Sequence, residues 1–217
     1  YLSNCPVTLV SIDKIEADDS IAYITKQILK NSKCFIMSSD KDFLQLVDKR
    51  VTVWSPTKKQ YYFDENVKEE FDLIPENYIY YKCLLGDKGD NVPGLSGLGH
   101  KTLYKNLPIL FGPDPITMDD IIDYAKTNAL QTKALKLIAD NVDHLNLNYQ
   151  LMQLHETDIS GSAKERLQNL VKAKIPSFVK YDFMKMLLED RMWIVKNIEF
   201  WIRDVFLSLD TRGRDDK

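Results

Sequence analysis

Cysteine, histidine, glycine and proline are all scarce in this chain. Three cysteines (Cys5, Cys34 and Cys83) in 217 residues are too few and too scattered for a disulfide framework, and no two stand at metal-ligand spacing. They read as reduced, buried thiols of a cytosolic protein. The three histidines, His100, His144 and His155, are isolated, so a zinc site built on Cys and His is disfavoured. With 8 Gly and 8 Pro the chain is neither collagen-like nor of low complexity. No apolar run approaches the roughly twenty residues that cross a bilayer, and no basic leader with an apolar stretch opens the sequence. Charge of one sign is missing too: 29 basic against 32 acidic residues leaves −3, which excludes a whole-surface electrostatic grip on nucleic acid but leaves local basic patches open.

What is present is a chain that can bury a sizeable core, 44% hydrophobic and 28% charged. Its length fits one large domain or a domain with an appendage. It opens at Tyr1 rather than Met and is read as the C-terminal part of something longer. The first ninety residues alternate in type. Residues 6–12 are β-branched and apolar and predict a strand; 17–31 carry apolar positions at helical spacing; 34–37 predict a short buried strand, 43–47 a short helix and 51–54 a further strand. That order predicts a mainly parallel sheet flanked by helices, with ligands bound beyond the carboxyl ends of the strands. Residues 55–64 predict a polar hairpin with Lys58 and Lys59 at its tip. A helix over 75–85, a Gly/Pro-punctuated loop over 86–99 and a helix over 100–107 follow. Four or five amphipathic helices fill 117–208, and a charged, frayed tail occupies 211–217. No internal repeat is present.

Three acidic clusters stand out by position. Glu16-Ala17-Asp18-Asp19 opens the first helix, and Glu16 and Asp19 share a helical face. Acids there also complement the helix dipole, which alone would account for them. Ser38-Ser39-Asp40-Lys41-Asp42-Phe43 follows a buried strand; in an extended stretch Asp40 and Asp42 would point the same way. An aspartate capping the next helix explains one of the two and not the other. Gly86-Asp87-Lys88-Gly89-Asp90-Asn91 is the third, and could be an ordinary Asx-rich turn.

Together the clusters are harder to dismiss. A parallel sheet would bring seven carboxylates to one edge, where some would protonate unless cations held them. Oxygen ligands without His or Cys select hard ions, Mg²⁺ or Mn²⁺. Two such ions about 4 Å apart activate water and stabilise the leaving oxygen of a phosphodiester. Just beyond the third cluster, Gly94-Leu95-Ser96-Gly97-Leu98-Gly99-His100-Lys101-Thr102-Leu103 is a glycine-punctuated turn opening a helix. Its backbone N–H groups suit a phosphate, and Lys101 and Lys105 lie one turn apart. A plain helical corner whose glycines relieve positive φ is the bland reading of the same residues.

The order Glu16-Ala17-Asp18-Asp19, Ser39-Asp40-Lys41-Asp42-Phe43-Leu44-Gln45-Leu46 and Leu85-Gly86-Asp87-Lys88-Gly89-Asp90-Asn91-Val92-Pro93-Gly94, with Gly97-Leu98-Gly99, resembles the FEN-like 5′ nucleases. These are flap endonucleases, the 5′-nuclease domain of bacterial DNA polymerase I, and phage 5′-3′ exonucleases. Trp54-Ser55-Pro56 before a lysine-tipped hairpin is most similar to the T-even-phage branch, historically called a ribonuclease H. The resemblance is strong from about residue 10 to 105.

The resemblance implies a PIN/FEN-like α/β fold, with residues 1–85 as the C-terminal part of the nuclease core and 86–217 as a mostly helical region. Residues 86–108 would be a helix–three-turn–helix element gripping duplex DNA. It implies that Glu16, Asp18 or Asp19, Asp40 and Asp42 hold one ion, and Asp87 and Asp90, with Asp42, a second. Lys88, Gly97, Leu98, Gly99, His100, Lys101 and Lys105 would contact DNA, with a K⁺ ion at the glycine turn, and Lys172, Lys174 and Lys180 are further backbone contacts to consider. In the family an aspartate-bearing strand, a second acidic motif and a helical arch precede the first cluster. Here only some fifteen residues do, so two metal-binding aspartates and the arch are expected to be missing.

The implied activity is structure-specific 5′ nuclease action, as 5′-3′ exonuclease or flap endonuclease, during replication and repair. The substrate would be DNA with a 5′ end, flap or RNA primer. A monomer in bacterial or phage-infected cytoplasm is expected, with replication proteins as partners and no membrane. The alternatives are a FEN-like DNA-junction-binding module whose metal centre is incomplete and inactive, and a PIN-like RNA nuclease.

Overall fold

The computed structural model describes residues 1–192 and 197–207; the expected tail at 211–217 lies outside them. The chain divides into two compact units. One is residues 21–158; the other joins residues 1–20 to the described residues from 159 onward. The boundary expected at 85/86 therefore falls inside the first of these.

In the unit of residues 21–158, helix α1 (Ala17–Tyr23) runs into a π-helical turn at Ile24–Ile28. A continuous helix to residue 31 was expected. Thr25 interrupts it: its hydroxyl donates to the carbonyls of Ile21 (2.8 Å) and Ala22 (3.1 Å), and Leu29 N–H bonds back to Ile24 O at 2.8 Å. Strand β1 (Cys34–Met37) pairs in parallel with β2 (Val51–Ser55), Ile36 opposite Val53. A tight hairpin then brings β3 (Gln60–Tyr62) antiparallel to β2. The sheet is thus small and mixed rather than mainly parallel. The residues 6–12 expected as a strand form none; Leu9 is 48% exposed. A β-branched run becomes a strand only where a neighbour completes its ladder.

One face of the sheet, with Ile36, Val51, Val53 and Tyr62, closes a core against Ala22, Leu44, Leu46, Val67 and Leu154. Helix α2 (Asp64–Phe71) follows the hairpin and α3 (Tyr78–Leu85) follows a 3₁₀ turn. Tyr78 of α3 packs into the sheet core. Ile79, Cys83 and Leu84 of the same helix pack into a second core with Leu103, Leu107, Leu110, Ile121, Leu135, Ile138 and Leu145. One helix therefore feeds both cores.

Beyond α3 a short hairpin, β4 (Gly86–Asp87) with β5 (Val92–Pro93), leads to α4 (His100–Asn106). Three more helices complete this unit: α5 (Met118–Thr127), α6 (Lys133–Asp140) and α7 (Val142–Met152).

The other unit holds α8 (Gly161–Lys172), α9 (Lys180–Glu189) and α10 (Ile198–Ile202). Cys5, Phe183, Leu187 and Ile202 form its core, and Val179 N–H bonds to Asn4 O at 3.1 Å. Cys5, Cys34 and Cys83 are all free and buried, and burial pushes the Cys83 thiol up to about 12. Among the described residues no helix is long and apolar enough to cross a membrane.

Candidate metal centre

Asp42, Asp87 and Asp90 each offer a carboxylate oxygen within 4.8 Å of the others. Three separate local structures deliver them. Asp40 caps the 3₁₀ helix Lys41–Leu46, its Oδ1 accepting the Asp42 N–H at 2.9 Å, so this stretch is helical rather than extended. The cap leaves Asp40 exposed at the rim and turns Asp42 inward, to 9% exposure. Asp87 sits on β4 directly after Gly86 ends α3 at φ 76°, and Asp90 follows in the turn of the hairpin. Asp87 Oδ1 accepts Gly89 N–H at 2.7 Å and Asp90 N–H at 3.4 Å, which stiffens that turn.

Lys82, which the sequence motifs did not single out, lies among these acids. Its ammonium is 2.7 Å from Asp87 Oδ2 and is also bonded to Asp42. The one signal for it was a lone charge in the otherwise apolar, aromatic run Tyr-Ile-Tyr-Tyr-Lys-Cys-Leu-Leu of α3. Burial raises the Asp42 carboxyl above its ordinary range despite the lysine, with Asp40 and Asp87 adding repulsion. Asp87 is held below its ordinary range, first by Lys82 and then by the backbone N–H groups of Gly89 and Asp90. Burial works against the Lys82 charge, but its bonds to Asp42 and Asp87 outweigh that and raise it.

Asp42 and Asp87 line a cleft of about 550 Å³ whose polar lining also includes Asp40, Lys41, Lys82 and Lys88 and whose aromatic lining is Phe71, Tyr78 and Tyr81. Three convergent carboxylates with no His or Cys among them suit a hard divalent ion. The buried ammonium already drawn into the cluster shows that these acids need a compensating positive charge. The three carboxylates present fit a hard divalent ion.

The remaining predicted residues are placed as follows. Glu16 immediately precedes α1, with Asp18 and Asp19 in its first turn; Asp18 Oδ1 accepts Asp19 N–H at 2.8 Å, and all three belong to the unit containing residues 1–20. Gly97 adopts φ +90° in open space, Gly99 precedes α4 in extended backbone, and Leu98 is half-buried with its N–H bonded to Leu95 O at 3.1 Å. Lys88, Lys101 and Lys105 are exposed. His100 is engaged by the protein: Nε2 lies 3.1 Å from Asp72 Oδ2 and Nδ1 3.3 Å from the Tyr81 hydroxyl. Lys172, Lys174 and Lys180 are exposed in the other unit, with Lys180 3.6 Å from Glu199.

This fold is similar to that of a known class. Residues 1–72 match the 5′-3′ exonuclease N-terminal, resolvase-like domain family. A 5′-3′ exonuclease of Halalkalibacterium halodurans is 38% identical over 105 residues, covering 46% of this chain and 35% of that protein. The flap endonuclease Xni of Shewanella sediminis is 31% identical over 145 residues, 66% of this chain and 54% of that protein. The crystal structure of a bacteriophage T5 flap endonuclease variant, a pseudo-enzyme-product complex with DNA and metal ions, superposes with a TM-score of 0.57 at 25% identity, covering 83% of this chain and 61% of that one. The chain thus spans roughly a third to a half of the length of these two bacterial relatives. Sequence and fold place it among proteins built on the 5′ nuclease fold. Within that class it is a relative of the FEN-like 5′-3′ exonucleases and flap endonucleases.

Proposed function

We propose that this chain is part of a structure-specific 5′ nuclease that hydrolyses phosphodiesters near 5′ ends, flaps or RNA primers, in replication and repair, with Mg²⁺ or Mn²⁺ as cofactor. The observation that carries this reading is the convergence of Asp42, Asp87 and Asp90 from sequence segments forty-five residues and more apart, with Asp42 and Asp87 lining an open cleft. Asp42, Asp87 and Asp90 would hold one ion. Asp40 is proposed for a second, and Glu16, Asp18 and Asp19 stay candidate ligands on the family resemblance. When bound, two such ions supply activation of water and stabilisation of the leaving 3′ oxygen.

The chain's own residues do the rest. Lys82 bridges Asp42 and Asp87 and holds the two carboxylates together. Lys41 and Lys88 at the cleft wall offer cationic contacts to a phosphate. The α3–loop–α4 segment serves as the helix–three-turn–helix grip on duplex DNA, with Lys101 and Lys105 on phosphates and a K⁺ ion at the Gly97–Gly99 turn. Recognition is then of shape, and affinity falls as salt rises.

The test is cleavage of a labelled flap by the protein with Mg²⁺, beside the Asp87→Asn and Asp90→Asn variants. Turnover is expected to drop sharply in both while DNA affinity is retained. Unchanged turnover, or lost affinity at full turnover, overturns the assignment. One observation favours a second reading: Lys82 neutralises Asp42 and Asp87 without any ion, as a DNA-junction-binding module with an incomplete centre would require. Binding of the flap without cutting, at saturating Mg²⁺, selects that reading.

A further inference from the structure

Asp87 and Asp90 sit on a loop that leaves α3 and returns to it. Its neck is closed by backbone against backbone: a Cβ on Gly86 would lie 2.2 Å from Gly94 N, and one on Gly94 would lie 2.1 Å from the Leu85 carbonyl. Leu95 N–H bonds to Leu84 O at 2.9 Å on the return. Two carbonyls at this neck point away from the loop. That of Cys83 lies in the last turn of α3, where helix carbonyls lose their own-helix partners, and that of Pro93 ends β5.

Both are satisfied by one side chain. Asn148 of α7, 2% exposed, donates from Nδ2 to Cys83 O at 3.0 Å and to Pro93 O at 2.9 Å. A carboxamide has two N–H donors, and here each finds one of the two strands of the neck, so the amide has a single satisfactory orientation. His144, one turn earlier on α7, adds Nε2–H to Pro93 O at 2.7 Å. Cys83 follows Lys82 directly, so the same amide that pins the returning loop strand at Pro93 also pins the turn of helix carrying the central lysine.

We propose that Asn148 is a positioning residue for the divalent-ion centre, setting the Asp87–Asp90 loop against Lys82 and Asp42 from behind. This rests on the metal centre proposed for Asp42, Asp87 and Asp90. Asn148 touches neither ion nor substrate; it acts through two main-chain carbonyls. Groups that hold ligands in place characteristically change metal affinity by about tenfold to a hundredfold when removed.

A matched control exists in the same unit. Asn77, 0% exposed, donates to Leu110 O (3.1 Å) and Asp114 O (3.2 Å), a bridge of the same kind that touches neither Cys83 nor Pro93. The experiment is Mn²⁺ binding followed by electron paramagnetic resonance, with circular dichroism and melting temperature on the same samples. Asn148→Ala is expected to weaken Mn²⁺ about tenfold or more, and Asn148→Ser, which keeps one donor, by less. Asn77→Ala is expected to lower the melting temperature yet leave the Mn²⁺ dissociation constant at the wild-type value. DNA affinity in chelator should be the same for wild type and Asn148→Ser. Wild-type Mn²⁺ affinity in folded Asn148→Ala or Asn148→Ser, or an equal loss in Asn77→Ala, overturns the positioning role. A wild-type chain that binds no Mn²⁺ overturns the metal centre itself, which is a separate result.

Discussion

Nζ of Lys82 lies 2.7 Å from Oδ2 of Asp87, and the same ammonium is bonded to Asp42 across forty residues of sequence. A buried cation between two carboxylates is a structural counter-charge in the absence of an ion. At the proposed centre it would become a competitor for those oxygens when a divalent ion arrives. The centre is therefore balanced between two ways of neutralising the same acids.

Replacing the lysine tips that balance. Lys82→Met leaves Asp42 and Asp87 without their cation, at a loss on the order of 3 kcal/mol in chelator, as for other broken buried pairs. Millimolar Mn²⁺ should restore more stability to this variant than it adds to the wild type, because binding no longer displaces an ammonium. Thermal melts with and without the ion measure both. Equal melts in chelator, or an equal Mn²⁺ response, would contradict the role given to Lys82.

Acid stability should depend on Asp48, which does not line the cleft. Burial alone would raise its carboxyl, but Lys26 at 2.8 Å and the N–H groups of Arg50 (2.7 Å) and Val51 (2.8 Å) hold it below the ordinary value. A carboxyl lowered in the folded state stabilises at pH above its unfolded value of 3.8 and loses that contribution as pH falls through the folded value. Asp48→Asn is expected to cost about 1–2 kcal/mol at neutral pH. The gap to wild type should close as pH falls through the folded value, which lies below 3.8. Denaturant midpoints across pH 2 to 7, roughly the span over which carboxylates titrate, supply the check.

The glycines of the loop separate by what surrounds them. Gly86→Ala meets backbone at 2.2 Å and keeps φ +76°, so it should cost about 3 kcal/mol and lose Mn²⁺ binding with it. Gly97→Ala meets nothing within 4 Å and is strained by its φ of +90° alone, at about 1 kcal/mol. Gly99 has ordinary extended backbone at the N-terminus of α4, and Gly99→Ser should add a few tenths of a kcal/mol by capping, about 0.3. Urea denaturation ranks the three; any other order refutes the neck geometry.

Lys101 and Lys105 are exposed on α4. If they contact phosphates, replacing both with alanine should weaken flap binding regardless of sequence and flatten the salt dependence by about one unit of slope per lysine. Mn²⁺ affinity at the acidic centre should not move. A salt slope identical to wild type would remove them from the interface.

Local chemistry was legible in the amino-acid sequence. The Lys58–Lys59 hairpin, the short strands at 34–37 and 51–55, and the helices from 78 onward follow from β-branched runs, turn residues and helical spacing, which act over a few residues. Asp42, Asp87 and Asp90 were among seven candidates because acids directly after strands and helices are conspicuous. The tertiary structure decided which of them meet, because convergence depends on packing between segments distant in the chain. It bent the helix expected at 17–31 through the Thr25 hydroxyl and left residues 6–12 without a ladder. It also made the sheet mixed by folding β3 back on β2. Lys82 and Asn148 became visible only there. A lysine in an apolar helix and an asparagine in an amphipathic one carry no motif, and their roles arise from the carboxylates and carbonyls that the fold brings within about 3 Å, hydrogen-bond range.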